Sequence, residues 1–182
     1  MSIAAKKKLN RADFMFADKT GEVLTKLPGQ INGIDFHIRN LTDCTVYLLD
    51  WTATIMVDNC KNTTFIIGPV KGSINLRDCY DCIVSVACSQ FRCRELHNST
   101  VYLYVLSEPG IESSTNLKFA PYNVAYPKLE EHAAAVGFDL NVNKWNLIHD
   151  FTKNEHKLNY ELMEPSEFKV IIKELEGFES NP

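Results

Sequence analysis

Four stretches of the chain repeat one pattern, and this repeat constrains the fold more than any other feature. Each copy runs from a polar or charged start, through a turn-like cluster, into two apolar residues at alternate positions. The copies cover residues 39–48, 58–67, 77–86 and 94–103, and they begin 19, 19 and 17 residues apart. A repeat of this length indicates a solenoid, in which successive coils stack and bury one continuous core.

Alignment of the four copies places apolar residues in columns that are two positions apart. An apolar period of two is typical of a strand with one buried face. Coils of 19 residues leave no room for a helical crossover, and their corners are rich in Asn, Asp, Thr and Cys. The pattern therefore predicts an all-β chain folded as a parallel β-helix. The predicted inward columns are Val46, Phe65, Val84 and Val101; Leu48, Ile67, Val86 and Leu103; Phe36, Ile55, Ile74 and Phe91; and Ile38, Val57, Leu76 and Cys93.

The same alternation predicts which residues face outward. Gln90, Arg92 and Arg94 project from one face of a strand that Phe91 and Cys93 anchor to the core. A register error of one residue would exchange the two faces, and the shorter last gap is where such an error could fall. The outward columns are His37, Met56, Asn75 and Arg92; Asp35, Thr54, Ser73 and Gln90; and Arg39, Asp58, Arg77 and Arg94.

Length and charge limit the function classes. A chain of 182 residues is one domain with appendages, and its net charge of −4 provides no general attraction for nucleic acid. No stretch reaches the roughly 18 apolar residues of a membrane span, and residues 1–8 lack the apolar core of a secretory signal. Ser2 stands where myristoylation requires glycine. We therefore expect a cytoplasmic protein with neither a transmembrane segment nor an N-terminal acyl anchor.

Six cysteines admit three interpretations. Cys79-x-x-Cys82, followed by Cys88 and Cys93, has the spacing of a zinc site. A thiol catalyst is the second possibility, although no histidine has a sequence relation to these residues. The favoured interpretation is a set of small buried apolar residues, because Cys60 and Cys79 share a repeat column with leucines.

The remainder of the chain divides into three segments. Residues 1–10 are predicted to form a flexible basic tail around Lys6-Lys7-Lys8, residues 11–163 the β-helix domain, and residues 164–182 a C-terminal helix and tail. Residues 10–32 are expected to cover the first coil, because an open solenoid end requires a cap. Residues 128–136 predict one or two helical turns closed by Gly137. Pro165 lies in the first turn of the predicted C-terminal helix, which ends at Gly177.

Several short motifs, in order and at characteristic spacing, resemble one known family. The motifs are 13–16 (DFMF), 27–29 (LPG), 68–73 (GPVKGS), 87–92 (ACSQFR), 111–114 (IESS), 118–121 (KFAP), 145–146 (WN) and 148–151 (IHDF). Together they make the chain, from about residue 11 to residue 163, similar to the tubulin-cofactor-C family, whose domain is called C-CAP/cofactor C-like. Its retinitis pigmentosa 2 branch is the most similar.

The resemblance implies a right-handed parallel β-helix and an activity that composition does not show, namely GTPase activation. One branch of the family acts on Arf-like GTPases of cilia, and the other acts on tubulin. In both branches a Gln-Phe/Leu-Arg motif supplies an arginine, which corresponds here to Arg92, with Gln90 beside it as its catalytic companion. Glu112 and Phe151 correspond to partner-contacting residues of the retinitis pigmentosa 2 branch, and Arg94 to a supporting arginine on the same strand.

This resemblance sets the remaining expectations. The partner is a GTP-loaded Arf-like small GTPase, with tubulin as the alternative, and the chain is a monomer located in the cytoplasm at the base of a cilium or flagellum. It has no enzymatic activity of its own and no cofactor, because Mg²⁺ and GTP belong to the partner. Ser89 occupies the place of a second glutamine that assists the arginine in the retinitis pigmentosa 2 branch. That difference keeps open a third possibility, a scaffold that binds a GTP-loaded GTPase without accelerating hydrolysis.

Overall fold

A computed structural model describes residues 8–174. Within this range the chain is built almost entirely of strands, with one short helix and two 3-10 turns, at Arg11–Phe14 and Pro165–Glu167. The strands and the helix, in chain order, are β1 Met15–Thr20, β2 Val23–Lys26, β3 Phe36–Thr42, β4 Thr45–Leu48, β5 Ile55–Asp58, β6 Thr64–Tyr80, β7 Ile83–Val105, β8 Gly110–Glu112, β9 Thr115–Pro121, β10 Val124–Ala125, α1 Leu129–Val136, β11 His149–Asp150, β12 Tyr160–Leu162 and β13 Ile171–Ile172.

The strands stack as a parallel solenoid of about six turns. One face follows the order β1-β3-β5-β6-β7-β8-β11, and every neighbouring pair in it is parallel. A second face contains β2, β4, β9 and β12, together with other parts of β6 and β7. Because β6 and β7 continue around a corner, each of them contributes to both faces. The parallel β-helix predicted from the repeat is confirmed.

The predicted inward columns form the core. All of their members are at most 5% exposed, and most are fully buried. Phe91 and Phe119, one coil apart, pack edge to face with ring centroids 6.0 Å apart. Each fully buried apolar side chain contributes roughly 1.5–3 kcal/mol, so a continuous column holds successive coils in register.

The short last repeat is accommodated at a corner. Between β6 and β7, Ile66 pairs with Ser85, Pro69 with Ala87 and Ser73 with Gln90, so the separation falls from 19 to 18 to 17 residues. One shift lies between Ile66 and Pro69 and the other between Val70 and Ser73, at the GPVKGS motif, and the straight stretches on either side are unchanged. The inward and outward columns around Arg92 are therefore in the predicted register.

All six cysteines are buried and free. Cys60 and Cys79 are fully buried in the core at their leucine column, which confirms the interpretation as small apolar residues. Burial raises the pKa of the Cys93 thiol to about 12, and burial also raises the pKa of Cys88. These two thiols are held in the form that is a poor nucleophile.

The segment before the repeats does more than cover the first coil. Strand β1 pairs with β3 and β2 pairs with β4, both in parallel, so this segment is itself a coil of the solenoid. The helix predicted near residue 130 is present as α1, and it ends at Gly137 in the left-handed conformation with φ 79°. No helix within residues 8–174 has the length and apolar character needed to cross a membrane.

The predicted C-terminal helix is wrong over the part of it that the structure describes. After the 3-10 turn at Pro165–Glu167 the chain extends, and β13 pairs with β10. The Ile171 N–H donates to the Asn123 carbonyl at 2.7 Å, and the Asn123 side chain donates to the Lys169 carbonyl at 2.9 Å. Pairing with an available strand edge outweighs a weak helical pattern. Residues 175–182, with the predicted helix end at Gly177, and residues 1–7 of the predicted tail lie outside the described residues.

Candidate functional site

The strand that carries Arg92 is fixed on both sides. Within β7, Arg92 pairs with Asn75 of β6 and with Gly110 of β8. Its neighbours Phe91 and Cys93 are 1% and 5% exposed and point into the core. Backbone pairing on two edges and buried neighbours leave only the outward side chain free to move.

The outward side chains of this strand are exposed, as the alternation predicts. Arg92 and Arg94 face solvent, and among residues 8–174 neither guanidinium forms a salt bridge or a hydrogen bond to another side chain. Arg77, one coil away, differs because its Nε donates to Asp58 Oδ1 at 2.7 Å. The Asp58 carboxylate raises the pKa of Arg77. Arg92 and Arg94 are thus available to an external anion, whereas Arg77 already has one internal partner.

Gln90 and Ser89 have different surroundings. Gln90 is exposed and pairs with Ser73, on the same face as Arg92. Ser89 lies at the corner, where its hydroxyl donates to the Lys71 carbonyl at 2.5 Å and its own carbonyl accepts from the Ser107 hydroxyl at 3.1 Å. The Ser89 hydroxyl therefore joins neighbouring coils. Of these two residues, Gln90 is the one placed beside Arg92 on the outward face.

Glu112 and Phe151 join the same face from the next two strands. Strand β8 places Gly110 opposite Arg92 and Glu112 opposite Arg94, and β11 pairs with β8 on its other edge. Phe151 follows β11 and is 59% exposed, so it is not a core residue. A Cβ added at Gly110 would lie 3.1 Å from Phe151 Cε2, which places the ring over Gly110, in the row next to Arg92. All five predicted site residues are therefore on one face, although their roles stay predictions.

Four neighbouring strands, β5 to β8, line a hollow that the sequence did not reveal. The hollow has a volume of 260 Å³, and we call it the arginine hollow. The side chains that define it are Met56, Asn75, Arg77, Arg92, Arg94 and Glu112. The outward columns contained the necessary signal, because Arg77 and Arg94 are neighbours in one of them. The repeat did not predict the next strand, β8, because Glu112 lies outside the repeat.

His149 also lies on this face, and the sequence patterns did not point to it. It lies on β11 opposite Gly110, it is exposed, and its ring meets the Phe151 ring edge to face at 4.4 Å. It belongs to the IHDF motif, but β11 comes 39 residues after Gly110 in the chain. No periodic signal spans that distance, so only the fold shows that His149 and Phe151 complete the row beyond Arg92.

A buried polar cluster explains the LPG motif. Asp50 is 2% exposed, and its Oδ2 accepts hydrogen bonds from the backbone N–H groups of Gly29, Ile31 and Asn32 at 3.1, 2.9 and 2.7 Å. Its Oδ1 lies 3.3 Å from His132 Nε2 of α1. One carboxylate thus ties the loop before β3, a coil corner and the helix together.

Tyr126 completes this cluster and accounts for Gly68. The Tyr126 hydroxyl is 2.7 Å from His132 Nδ1. A Cβ added at Gly68 would lie 2.5 Å from that hydroxyl and 2.6 Å from the Asp50 carbonyl, so the corner accepts only glycine without displacement. Burial lowers the pKa of His132, while the nearby Asp50 carboxylate opposes that shift. The cluster supports the fold on the side of the coil stack that α1 covers.

Nothing in the described part of the chain has the donor set of a metal site. Among residues 8–174, no three His, Cys, Asp or Glu side chains come together in an arrangement that could hold a metal ion. The chemistry available on the exposed face is that of guanidinium, amide, carboxylate and aromatic groups. Groups of these kinds can form hydrogen bonds, ion pairs and apolar contacts with another molecule.

The fold defines a class of protein, a parallel β-solenoid domain, which here presents an exposed arginine on a strand fixed at both edges. Comparison with known proteins identifies its family. The family model described as Tubulin binding cofactor C matches residues 33–151. The chain belongs to the tubulin binding cofactor C family.

Relatives from two groups are similar to this chain. Protein XRP2 of Danio rerio is 39% identical over 87% of the chain, and Protein XRP2 of Homo sapiens is 37% identical over 87% of it. Tubulin-specific chaperone C of Bos taurus is 32% identical over 75% of the chain. The chain spans 39–42% of the length of the first relatives that it matches. Tubulin Binding Cofactor C from Leishmania major has the same fold, with a TM-score of 0.55 at 19% identity, over 87% of this chain and 94% of that one.

Proposed function

We propose that this protein activates an Arf-like small GTPase by inserting Arg92 into the partner's nucleotide site. The single observation that carries the proposal is the state of Arg92. Its guanidinium is exposed and, within residues 8–174, unpaired, on a strand held by two neighbours and two buried side chains. The resemblance to the retinitis pigmentosa 2 branch supports the choice of an Arf-like partner.

The chemistry explains why an arginine is required. Hydrolysis of GTP develops negative charge on the phosphate oxygens, and a planar, permanently charged guanidinium can bridge two of them. An arginine donated in trans accelerates hydrolysis by roughly 10³- to 10⁵-fold, which corresponds to about 4–7 kcal/mol of barrier. A strand in a β-helix suits this task because the stem of the arginine is fixed before the partner arrives.

The other residues of the face have supporting roles in this proposal. Gln90 lies beside Arg92 and contacts the partner's catalytic region, since Ser89 is occupied at the corner. Phe151 and Glu112 contact the partner from the next two strands, and Arg94 supports Arg92 from the same strand. The nucleotide and Mg²⁺ are the partner's.

Substitution of Arg92 tests the proposal directly. Arg92→Ala is expected to lower the stimulated rate of GTP hydrolysis by at least about 10³-fold, because the transition-state charge loses its guanidinium. Arg92→Lys keeps the charge but not the fork, and it is expected to stay far below the wild-type rate. The measurement is single-turnover hydrolysis by GTP-loaded Arf-like GTPases with the protein at saturation, with binding to the GTP-loaded form measured in parallel.

Arg39→Ala is the matched control. Arg39 is an exposed arginine on the same face, three coils from Arg94 in its column, so its loss changes the charge equally. With the Arg39→Ala variant at saturation, the partner GTPase should hydrolyse GTP at the rate measured with the wild-type protein. The proposal is contradicted if saturating wild-type protein accelerates no Arf-like GTPase, or if the Ala variants at positions 39 and 92 behave alike.

Activation of tubulin is a second candidate, favoured by the 32% identity to Tubulin-specific chaperone C of Bos taurus. It would use the same arginine on a different partner. Addition of the protein to tubulin together with the other folding cofactors distinguishes the two. A rise in GTP turnover that depends on Arg92, with no effect on Arf-like GTPases, would assign the activity to tubulin.

A binding scaffold is the third candidate, and the position of Ser89 favours it. Its hydroxyl donates to the Lys71 carbonyl, so the assistance that a second glutamine gives in the retinitis pigmentosa 2 branch has no counterpart here. Tight binding of a GTP-loaded partner with an unchanged rate of hydrolysis would identify the protein as a scaffold.

A further inference from the structure

We propose that the arginine hollow receives a carboxylate side chain from the partner's docking surface, held by Arg77 and Arg94 beside Arg92. The inference rests on the proposed function for the identity of the partner as a GTPase. The proposed ligand is a carboxylate of the partner and not its nucleotide. The proposal also places Arg77, which has no role in the proposed function, in the interface.

The charges along one outward column carry the argument. Neighbouring rows of this column hold Arg39, Asp58, Arg77, Arg94 and Glu112 in that order. Asp58 is paired with Arg77 at 2.7 Å, so the next row places Arg94 beside a like charge. Rows of a sheet are about 4.8 Å apart, and like charges directly opposite one another are destabilising.

Glu112 does not neutralise this excess. It occupies the row after Arg94, yet within residues 8–174 no carboxylate lies within salt-bridge distance of the Arg94 guanidinium. Arg92, which also has no side-chain partner in the described part of the chain, lines the same hollow. The site is therefore a hollow with a volume of 260 Å³ whose lining arginines carry an uncompensated positive charge. The protein as a whole has a net charge of −4.

The lining of the hollow and its position beside Arg92 select its occupant. Arg77, Arg92 and Arg94 all line the hollow, and the guanidinium of Arg92 stands at the end of a three-methylene stem. If that guanidinium reaches a nucleotide inside the partner, the group that fills the hollow beside Arg92 is part of the partner's own surface. An aspartate or glutamate side chain fits the charge, because guanidinium forks bind carboxylates through paired hydrogen bonds.

The first experiment uses the free protein and does not depend on any GTPase. The side-chain Nε–H signals of the arginines are followed by NMR during titration with N-acetylglutamate methylamide at constant ionic strength. We expect saturable shifts for Arg77 and Arg94 and none for Arg39, which has the same charge on the same face. N-acetylglutamine methylamide, which lacks the carboxylate, should shift none of them. Equal shifts at Arg39, or saturable shifts only with inorganic phosphate, would overturn the proposal.

The second experiment places the hollow in the complex. For a GTPase loaded with a non-hydrolysable GTP analogue, Arg94→Gln is expected to raise Kd about tenfold, the effect of losing one charged hydrogen bond. It should also weaken the salt dependence of Kd, whereas Arg39→Gln should leave both unchanged. An Arg94→Gln variant that binds like wild type would refute the docking role. Failure of the wild-type protein to bind any Arf-like GTPase would refute the proposed function, and the titration would still decide whether the hollow binds a carboxylate.

Discussion

Phe151 illustrates how a single residue changes meaning with its surroundings. An aromatic side chain near the end of a domain is ordinarily interpreted as core, but here the ring is 59% exposed and rests over Gly110 beside the row of Arg92. Glycine allows this position because any larger residue at 110 would have to displace the ring. Contact between this apolar ring and water is unfavourable in the free protein. A bound partner that covered the ring would remove that contact.

Truncation of Phe151 is therefore expected to affect binding and not stability. Phe151→Ala should weaken binding of the GTP-loaded partner about tenfold or more, while the free energy of unfolding changes by less than about 1 kcal/mol. Titration calorimetry and urea unfolding measure the two quantities. Phe119→Ala is the contrasting variant: its ring is fully buried, so the substitution should cost about 3–5 kcal/mol of stability. A large loss of stability in Phe151→Ala would place its ring in the core after all.

At the scale of the elements, the corners of the coils depend on Asn and Asp in the left-handed conformation. Asn40 and Asn59 have φ of 55° and 53° and occupy equivalent corners of successive coils. Asn40 Nδ2 donates to Asp18 Oδ1 at 2.7 Å, and Asn59 Nδ2 donates to Asn40 Oδ1 at 2.9 Å, so the side chains form a ladder. Each residue satisfies the turn and also joins its coil to the one before it. This is why the repeat retains Asn and Asp where glycine alone would satisfy the backbone.

Two substitutions at Asn59 separate these contributions. Asn59→Gly keeps the left-handed backbone but removes the ladder hydrogen bond, at a cost of about 1 kcal/mol. Asn59→Ala loses the same bond and adds about 1–2 kcal/mol for a Cβ in that conformation, so it should be the less stable of the two in urea unfolding. Asn146, which is exposed and absent from the residues with positive φ, is the control. At Asn146 the Gly variant should be no more stable than the Ala variant. If the Gly variant were the more stable at both Asn59 and Asn146, the left-handed backbone would not explain the difference.

At the scale of the whole molecule, the Asp50 cluster joins parts that are far apart in sequence. The loop at Gly29–Asn32, the corner at Asp50 and the helix residue His132 meet around one buried carboxylate. With neutral His132 every polar group has a partner, since Nε2–H faces Asp50 and Nδ1 accepts from the Tyr126 hydroxyl. Protonation of the ring would place a proton on Nδ1 and disrupt that arrangement. Burial also lowers the pKa of His132, because it disfavours the charged form of the ring.

This network predicts a loss of stability in mild acid. In the unfolded chain the histidine takes up a proton below about pH 6.5, whereas the folded state resists doing so until a lower pH. Stability from this group is thus fully present above pH 6.5 and declines as the pH falls through the depressed pKa. We expect the fall in Tm between pH 7.5 and 5.5 to be smaller in His132→Gln than in wild type. His156→Gln, at an exposed position, should retain the wild-type pH dependence, and an unchanged pH dependence in His132→Gln would exclude the ring as its source.

Much of this organisation could be predicted from the sequence where the repeat operates. The inward columns, the outward strand of Gln90, Arg92 and Arg94, and α1 ending at Gly137 follow from local periodicity and turn chemistry. Prediction failed at residues 164–174, where pairing of β13 with β10 replaced the expected helix, because an edge strand elsewhere in the chain decided the outcome. It also missed His149, which lies on a strand outside the repeat, and the arginine hollow, which Glu112 of β8 completes from outside the repeat.

The sequence by itself determined the coil stack and the outward direction of Arg92, because a period of two in a repeat of 17–19 residues leaves one arrangement that buries every apolar column. Tertiary structure alone decided which groups from outside the repeat lie near that arginine. Gly110, Glu112, His149 and Phe151 reach it through strand pairings across 18–39 residues, and such pairings depend on the geometry of the stacked coils, which no local pattern encodes.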